Sequence, residues 1–82
     1  MDDSHLINLL AFAQARAVIG CGERLVPCSP AETPAALIDR LFPDARPKLS
    51  GCRVAIDAAY ASWDEPIGTG RELALIPPVS GG

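Results

Sequence analysis

The side chains that could act as a base, a nucleophile or a metal ligand in this sequence are few, and their spacing favours none of those roles. His5 is the one histidine, and so close to the start of the chain it reads as a solvent-exposed terminal residue, not a general base. Cys21, Cys28 and Cys52 are odd in number and contain no CxxC pair, so neither a disulfide framework nor a zinc cluster is expected. No neighbouring Lys or His marks a lowered thiol pKa, and each cysteine reads as a small hydrophobe or turn residue. Asp64-Glu65 is an acidic pair in a turn, where adjacent carboxylates point into water in different directions. Gly68-x-Gly70 has no following helix and does not make a phosphate loop. A self-contained catalytic centre, a resident cofactor and a bound metal are all unexpected.

What remains is the end of the chain, Pro77-Pro78-Val79-Ser80-Gly81-Gly82. The proline pair fixes backbone angles and removes two donors, while Gly81 and Gly82 carry no side chains at all. Extended from Pro77, these residues reach roughly 20 Å, far enough to enter another protein's active site. A narrow channel encloses such an end only because it has no Cβ atoms; taken alone, the same glycine pair also suits a floppy tail.

The chain that must carry this end has 82 residues, is 49% hydrophobic and has a mean hydropathy of +0.21, which suits one small globular domain and excludes a two-domain enzyme. Seven basic against ten acidic residues give a net charge of −3, and no Lys/Arg stripe could neutralise phosphates, so nucleic acid is not an expected partner. No apolar run approaches the roughly 20 residues that span a bilayer, and the start Met1-Asp2-Asp3 is unlike a secretory signal. A soluble, cytoplasmic protein with reduced thiols is expected.

The positioning elements follow from periodicity. Leu6 to Phe12 reads as a largely buried strand, with Ile7, Leu9 and Ala11 on one face and Leu10 and Phe12 on the other. Ala13 to Ile19 predicts a short helix stopping at Gly20. Glu23 to Cys28 predicts a strand that Pro27 places at a sheet edge. The principal helix starts with Thr33 as cap and Pro34 at the first position, presenting Leu37, Ile38, Leu41 and Phe42 on one face. After a polar loop from Asp44 to Gly51, strands are predicted at Arg53–Asp57, Tyr60–Trp63 and Glu72–Ile76. The first and last strands are the most apolar and belong side by side in the middle of a mixed sheet of about five strands, with one principal helix on one face. This is an α+β fold of the β-grasp type, a domain over residues 1–76 followed by a tail over 77–82. Ile7, Leu9, Leu37, Leu41, Leu73 and Leu75 form its expected core, with Val54 or Ile56 added according to register. The opposite face then shows Leu10, Phe12, Tyr60 and Ile76 with no second layer to cover them, a surface suited to a protein partner.

The ending from Glu72 to Gly82 resembles that of the small subunit of molybdopterin synthase, the ubiquitin-like sulfur carrier of molybdenum cofactor biosynthesis. Leu10-Ala11-Phe12-Ala13-Gln14-Ala15-Arg16 is similar to that family's first strand and short helix, and the segments Arg53 to Asp57 and Ser62 to Ile67 also match in order. Arg71 in Gly68-Thr69-Gly70-Arg71 departs from the family's usual Asp-Gly-Asp turn, which puts any partner contact made by that acid in doubt.

The resemblance implies that an adenylating partner, similar to ubiquitin-activating enzymes, uses ATP to activate the Gly82 carboxylate. A persulfide donor then supplies sulfur, leaving a thiocarboxylate. It further implies a tail, Pro77 to Gly82, that enters the large subunit of the synthase in a heterotetramer and gives sulfur to cyclic pyranopterin monophosphate. Positions matching Phe12, Tyr60 and Ile76 would dock on that subunit. Carriers for thiamine synthesis or transfer-RNA thiolation also end in Gly-Gly, and a ubiquitin-like binding module with a tail that is never activated is a third reading.

Overall fold

A computed structural model describes residues 4–78. In it the chain runs β1 (His5–Ala11), α1 (Ala13–Ile19), β2 (Glu23–Cys28), α2 (Pro34–Leu41), a 3₁₀ turn (Arg46–Leu49), β3 (Arg53–Ile56), β4 (Ala59–Ala61) and β5 (Glu72–Ile76). The strands form one mixed sheet in the order β2-β1-β5-β3-β4. β1 and β5 run parallel in its middle, as their apolar sequences predict, and every other pairing is antiparallel. The fold is a ubiquitin-like β-grasp. No helix among the described residues is long and apolar enough to cross a membrane.

Strand parity sets the core. Ile7, Leu9, Val54, Leu73 and Leu75 point to one face of the sheet and are buried there against Ala15 and Ile19 of α1, Leu37 and Ile38 of α2, and Leu49 of the 3₁₀ turn. Each large aliphatic side chain fully buried in this way contributes about 1.5–3 kcal/mol. The cap of α2, Thr33 Oγ1 accepting from the Ala36 N–H at 3.1 Å, contributes about 1 kcal/mol. Packing of Leu37 and Ile38 therefore holds α2 in place, and the cap fixes where it begins. α1 ends at Gly20, whose φ of 93° lets its N–H reach the Arg16 carbonyl at 2.8 Å.

Two local devices tie the loops to this core. Arg40 on α2 donates from Nε and Nη2 to both carboxylate oxygens of Glu32 and from Nη2 to the Pro27 carbonyl, which joins the helix to the edge strand β2. The bonds from Arg40, more than the partial burial that opposes them, hold the Glu32 carboxyl below its ordinary value. Asp57 occupies the β3–β4 turn, where its Oδ1 accepts from the N–H groups of Arg71 and Glu72 at 2.9 and 3.0 Å and so fixes the start of β5. That turn holds Asp57 at φ 50° and Ala58 at φ 69°. Aspartate tolerates this region, whereas the alanine Cβ is strained in it.

Several sequence expectations shift. Phe12 lies just beyond β1, as the residue before α1, because the chain turns there to begin the helix. β3 ends at Ile56 because Asp57 is spent on the turn, and β4 covers only Ala59–Ala61, leaving Trp63 to pack on the core and to donate from Nε1 to the Cys52 carbonyl. The polar loop contains the 3₁₀ turn, whose Leu49 is buried. α1 and α2 are nearly equal in length, so α2 is principal only in its packing. Leu41 and Ile56 sit at the core's margin, half-buried. His5 is not a free terminal residue: it opposes Cys28 in the β1–β2 ladder, and its Nε2 lies 2.8 Å from the Gly70 carbonyl.

Three outcomes follow for stability. A Cβ on Gly70 would lie 2.6 Å from Ile56 Cγ2, so Gly70→Ala is expected to cost about 1–3 kcal/mol. Ala58→Gly removes the strain at φ 69° and is expected to stabilise by about 1 kcal/mol; thermal melts of the two variants should move in opposite directions. The Glu32–Arg40 pair contributes fully above the ordinary carboxylate pKa and is lost as pH falls through the lowered folded value. In urea melts Glu32→Gln should therefore be less stable than the parent at pH 7 and indistinguishable from it at strongly acidic pH.

Candidate functional site

The thiols and the histidine do not form a catalytic group. Burial, reinforced by the nearby Glu32 charge and partly offset by Arg40, pushes the Cys28 thiol up, and burial does the same for Cys52. Both are protonated at neutral pH and shielded from solvent. Cys28 Sγ lies 3.6 Å from His5 Nε2, but that nitrogen faces the Gly70 carbonyl, which can only accept. Nε2 therefore carries the proton and has no lone pair for the thiol. Glu65 of the acidic pair turns back to accept from the Ser62 N–H at 3.4 Å. No group of three or more His, Cys, Asp or Glu placed to hold a metal occurs among the described residues.

The features that remain lie on the uncovered face of the sheet and at the root of the tail. Because side chains alternate, β1 shows Leu6, Asn8 and Leu10 outward, β5 shows Glu72, Ala74 and Ile76, and β3 shows Arg53 and Ala55. Phe12 and Tyr60 are 50% and 69% exposed, too much for core residues of their size. The register assembles them in rows. Leu10 opposes Ala74, Ala74 opposes Ala55 and Ala55 opposes Tyr60, so one line across the sheet runs large, small, small, large. Beside it, Phe12 donates its N–H to the Leu75 carbonyl at 3.3 Å and Ile76 opposes Arg53. These side chains, with Ala58 and Glu72, enclose a depression of about 320 Å³.

All three docking residues expected from sequence, Phe12, Tyr60 and Ile76, thus line one depression. Sequence reasoning missed its floor, Ala55 and Ala74, and its one ionisable wall, Glu72. Alternation alone could have found them once the β3–β5 register was known. It also missed Leu6 and Leu25, 60% and 64% exposed, which extend the apolar face toward β2. Arg53 lies over the Tyr60 ring, 5.4 Å from its centroid, and orients it.

Pro77 and Pro78 leave β5 next to this depression. Gly51 stands at φ 85° beside Pro78, and a Cβ there would lie 3.6 Å from Pro78 Cγ, so the proline passes over it at van der Waals distance. Val79, Ser80, Gly81 and Gly82, the rest of the expected site, lie outside the described residues. A larger hollow, about 830 Å³, opens beside the 3₁₀ turn, but its Arg46 is engaged by Asp39 at 3.3 Å and by the Trp63 ring. Ser50, Asp44 and Asp64 also line it.

Known structures share this architecture. A crystal structure of SAMP1 from Haloferax volcanii is 25% identical and superposes with a TM-score of 0.75, covering 95% of this chain and all of that one. A second crystal structure of this H. volcanii small archaeal modifier protein 1 is 26% identical, with a TM-score of 0.69 over 90% of this chain and 98% of that one. A Pyrococcus furiosus protein assigned as molybdopterin converting factor, subunit 1, is 20% identical with a TM-score of 0.69 over 90% and 98% of the two chains, a likeness of fold. The family model described as ThiS family matches residues 9–82, from the middle of β1 through the terminal Gly81-Gly82. The chain belongs to the ThiS family of ubiquitin-like sulfur carriers.

Proposed function

We propose that this chain is the sulfur-carrying small subunit of molybdopterin synthase. The observation that carries the reading is the sequence Pro77-Pro78-Val79-Ser80-Gly81-Gly82, of which Pro77 and Pro78 follow β5, the strand whose Ile76 lines an apolar depression. A carboxylate is a poor electrophile, so the first step is attack of the Gly82 carboxylate on the α-phosphate of ATP within an adenylating partner, releasing pyrophosphate. The terminal sulfur of a persulfide donor displaces AMP, and a second thiol cleaves the S–S bond to free the thiocarboxylate. The carrier then docks on the synthase large subunit through Phe12, Tyr60 and Ile76, while Pro77 to Gly82 reach the bound cyclic pyranopterin monophosphate. General acids and bases belong to the partners. This chain contributes the acyl group and its placement, which turns sulfur transfer into a step between held reactants. The burial and protonation of the Cys28 and Cys52 thiols support that division.

The greater identity to a small archaeal modifier protein than to the molybdopterin converting factor favours a second use of the same activated terminus, as a protein modifier or as the carrier of another thiolation pathway. The two uses share the first step and part at the acceptor.

Incubation with ATP, the adenylating enzyme and a sulfur donor should raise the intact mass by the difference between one sulfur and one oxygen, and an unchanged mass removes the carrier reading. Supply of the thiocarboxylated chain to the large subunit with cyclic pyranopterin monophosphate should yield the dithiolene product, whereas product formed only on transfer RNA, a thiazole precursor or protein lysines selects the second use. Phe12→Asp should weaken titration onto the large subunit by about a hundredfold or more with an unchanged melting temperature, since Phe12 lies outside the core.

A further inference from the structure

The depression on the open face has a floor and walls that differ in kind, and the difference specifies what fills it. Its floor is two methyl groups, Ala55 and Ala74, adjacent through the β3–β5 register. Its walls are Leu10, Phe12, Tyr60 and Ile76, with Glu72 at the end toward β5's start. Small residues between large ones leave a recess of about 320 Å³, at the base of which Ala55 and Ala74 are each 6% exposed.

The charges around it are engaged, with one exception. Glu23 accepts from Asn8 Nδ2 at 2.6 Å, Asp57 accepts from two backbone N–H groups, and Arg53 lies over Tyr60. The Glu72 carboxylate has no hydrogen bond or ion pair among the described residues, although it is half-buried at the rim of an apolar depression. Asn8, its neighbour in the β1–β5 ladder, gives its amide N–H to Glu23 and not to Glu72. A lone anion against apolar walls attracts a cation more strongly than one surrounded by water.

We infer that the protein docking on this face seats one aliphatic or aromatic side chain on Ala55 and Ala74 and, immediately beside it, sets an arginine or lysine against Glu72. This inference rests on the reading of the open face as the docking surface. Its occupant is a protein segment that pairs an apolar knob with an adjacent cation, because apolar floor and unpaired carboxylate share one rim. The knob supplies affinity through burial in a preformed depression, and the cation supplies register, since it can approach the apolar site from one side only.

The test is calorimetric titration of the full chain onto the molybdopterin synthase large subunit at low and high salt, with melting temperatures recorded for each variant. Glu72→Gln keeps the size of the side chain and should lose about tenfold in affinity at low salt and flatten the salt dependence. Ala74→Leu fills the depression and should lose about a hundredfold with folding retained. Wild-type affinity and salt dependence in both variants, while Phe12→Asp still weakens binding, would overturn the knob-and-cation inference and leave the docking surface standing. Absence of any association by the wild-type chain would overturn both. Should Ala74→Leu fail to fold, the near-isosteric Glu72→Gln decides.

Discussion

The parallel pairing of β1 with β5 is the constraint on which the rest of this molecule depends. It joins segments more than sixty positions apart, Asn8 to Glu72 through Ala11 to Leu75, and makes them the middle of the sheet. Parallel strands finish at the same end, so the residue that leaves β1, Phe12, and the residues that leave β5, Pro77 and Pro78, emerge side by side. The apolar depression and the prolines that follow β5 are therefore neighbours by topology. β5 is also bonded on both edges, by β1 and by β3, so the strand that leads to Pro77 and Pro78 is an interior one. Such non-local pairing carries a large loop-closure cost, met by burying Leu73, Leu75, Ile7 and Leu9 against the helical layer.

The same pairing separates the two faces by function. One face receives α1, α2 and the 3₁₀ turn, and every large aliphatic residue that parity directs there from β1 and β5 is buried. The other receives nothing from the described residues and keeps Phe12, Tyr60, Leu6 and Leu25 exposed. A domain this small spends its helical layer on one core, which leaves the second sheet face open among the described residues.

Local strain sits where the platform is shaped. Asp57 gives its side chain to the first two N–H groups of the β5 region, which holds the β3–β4 turn against the strand that leads to the tail. Ala58 accepts an unfavourable φ within that turn and lines the docking depression. Gly70, which precedes β5, permits the close approach of Ile56 that any Cβ would block. The platform's geometry near the docking site is thus set by the turn and loop that flank β5, more than by the strands alone.

Much of this was legible in the residues. The short apolar runs Leu6–Phe12 and Glu72–Ile76, the Thr33-Pro34 start, the Gly20 stop and Pro27 at an edge located five of the elements, because each signal is local. Gly81-Gly82 after Pro77-Pro78 raised the expectation of a chain that acts through its terminus, and those glycines lie outside the described residues. The residues by themselves could not give the ladder registers, since a slip of one position exchanges the two faces of a strand. They left undecided whether Val54 or Ile56 is fully buried, hid the 3₁₀ turn and Leu49 inside a polar segment, and left His5 without its Gly70 and Cys28 neighbours. Tertiary pairing decided these, and it alone brought Ala55, Ala74 and Glu72 together under Phe12 and Tyr60, because those residues meet only when strands from opposite ends of the chain lie side by side.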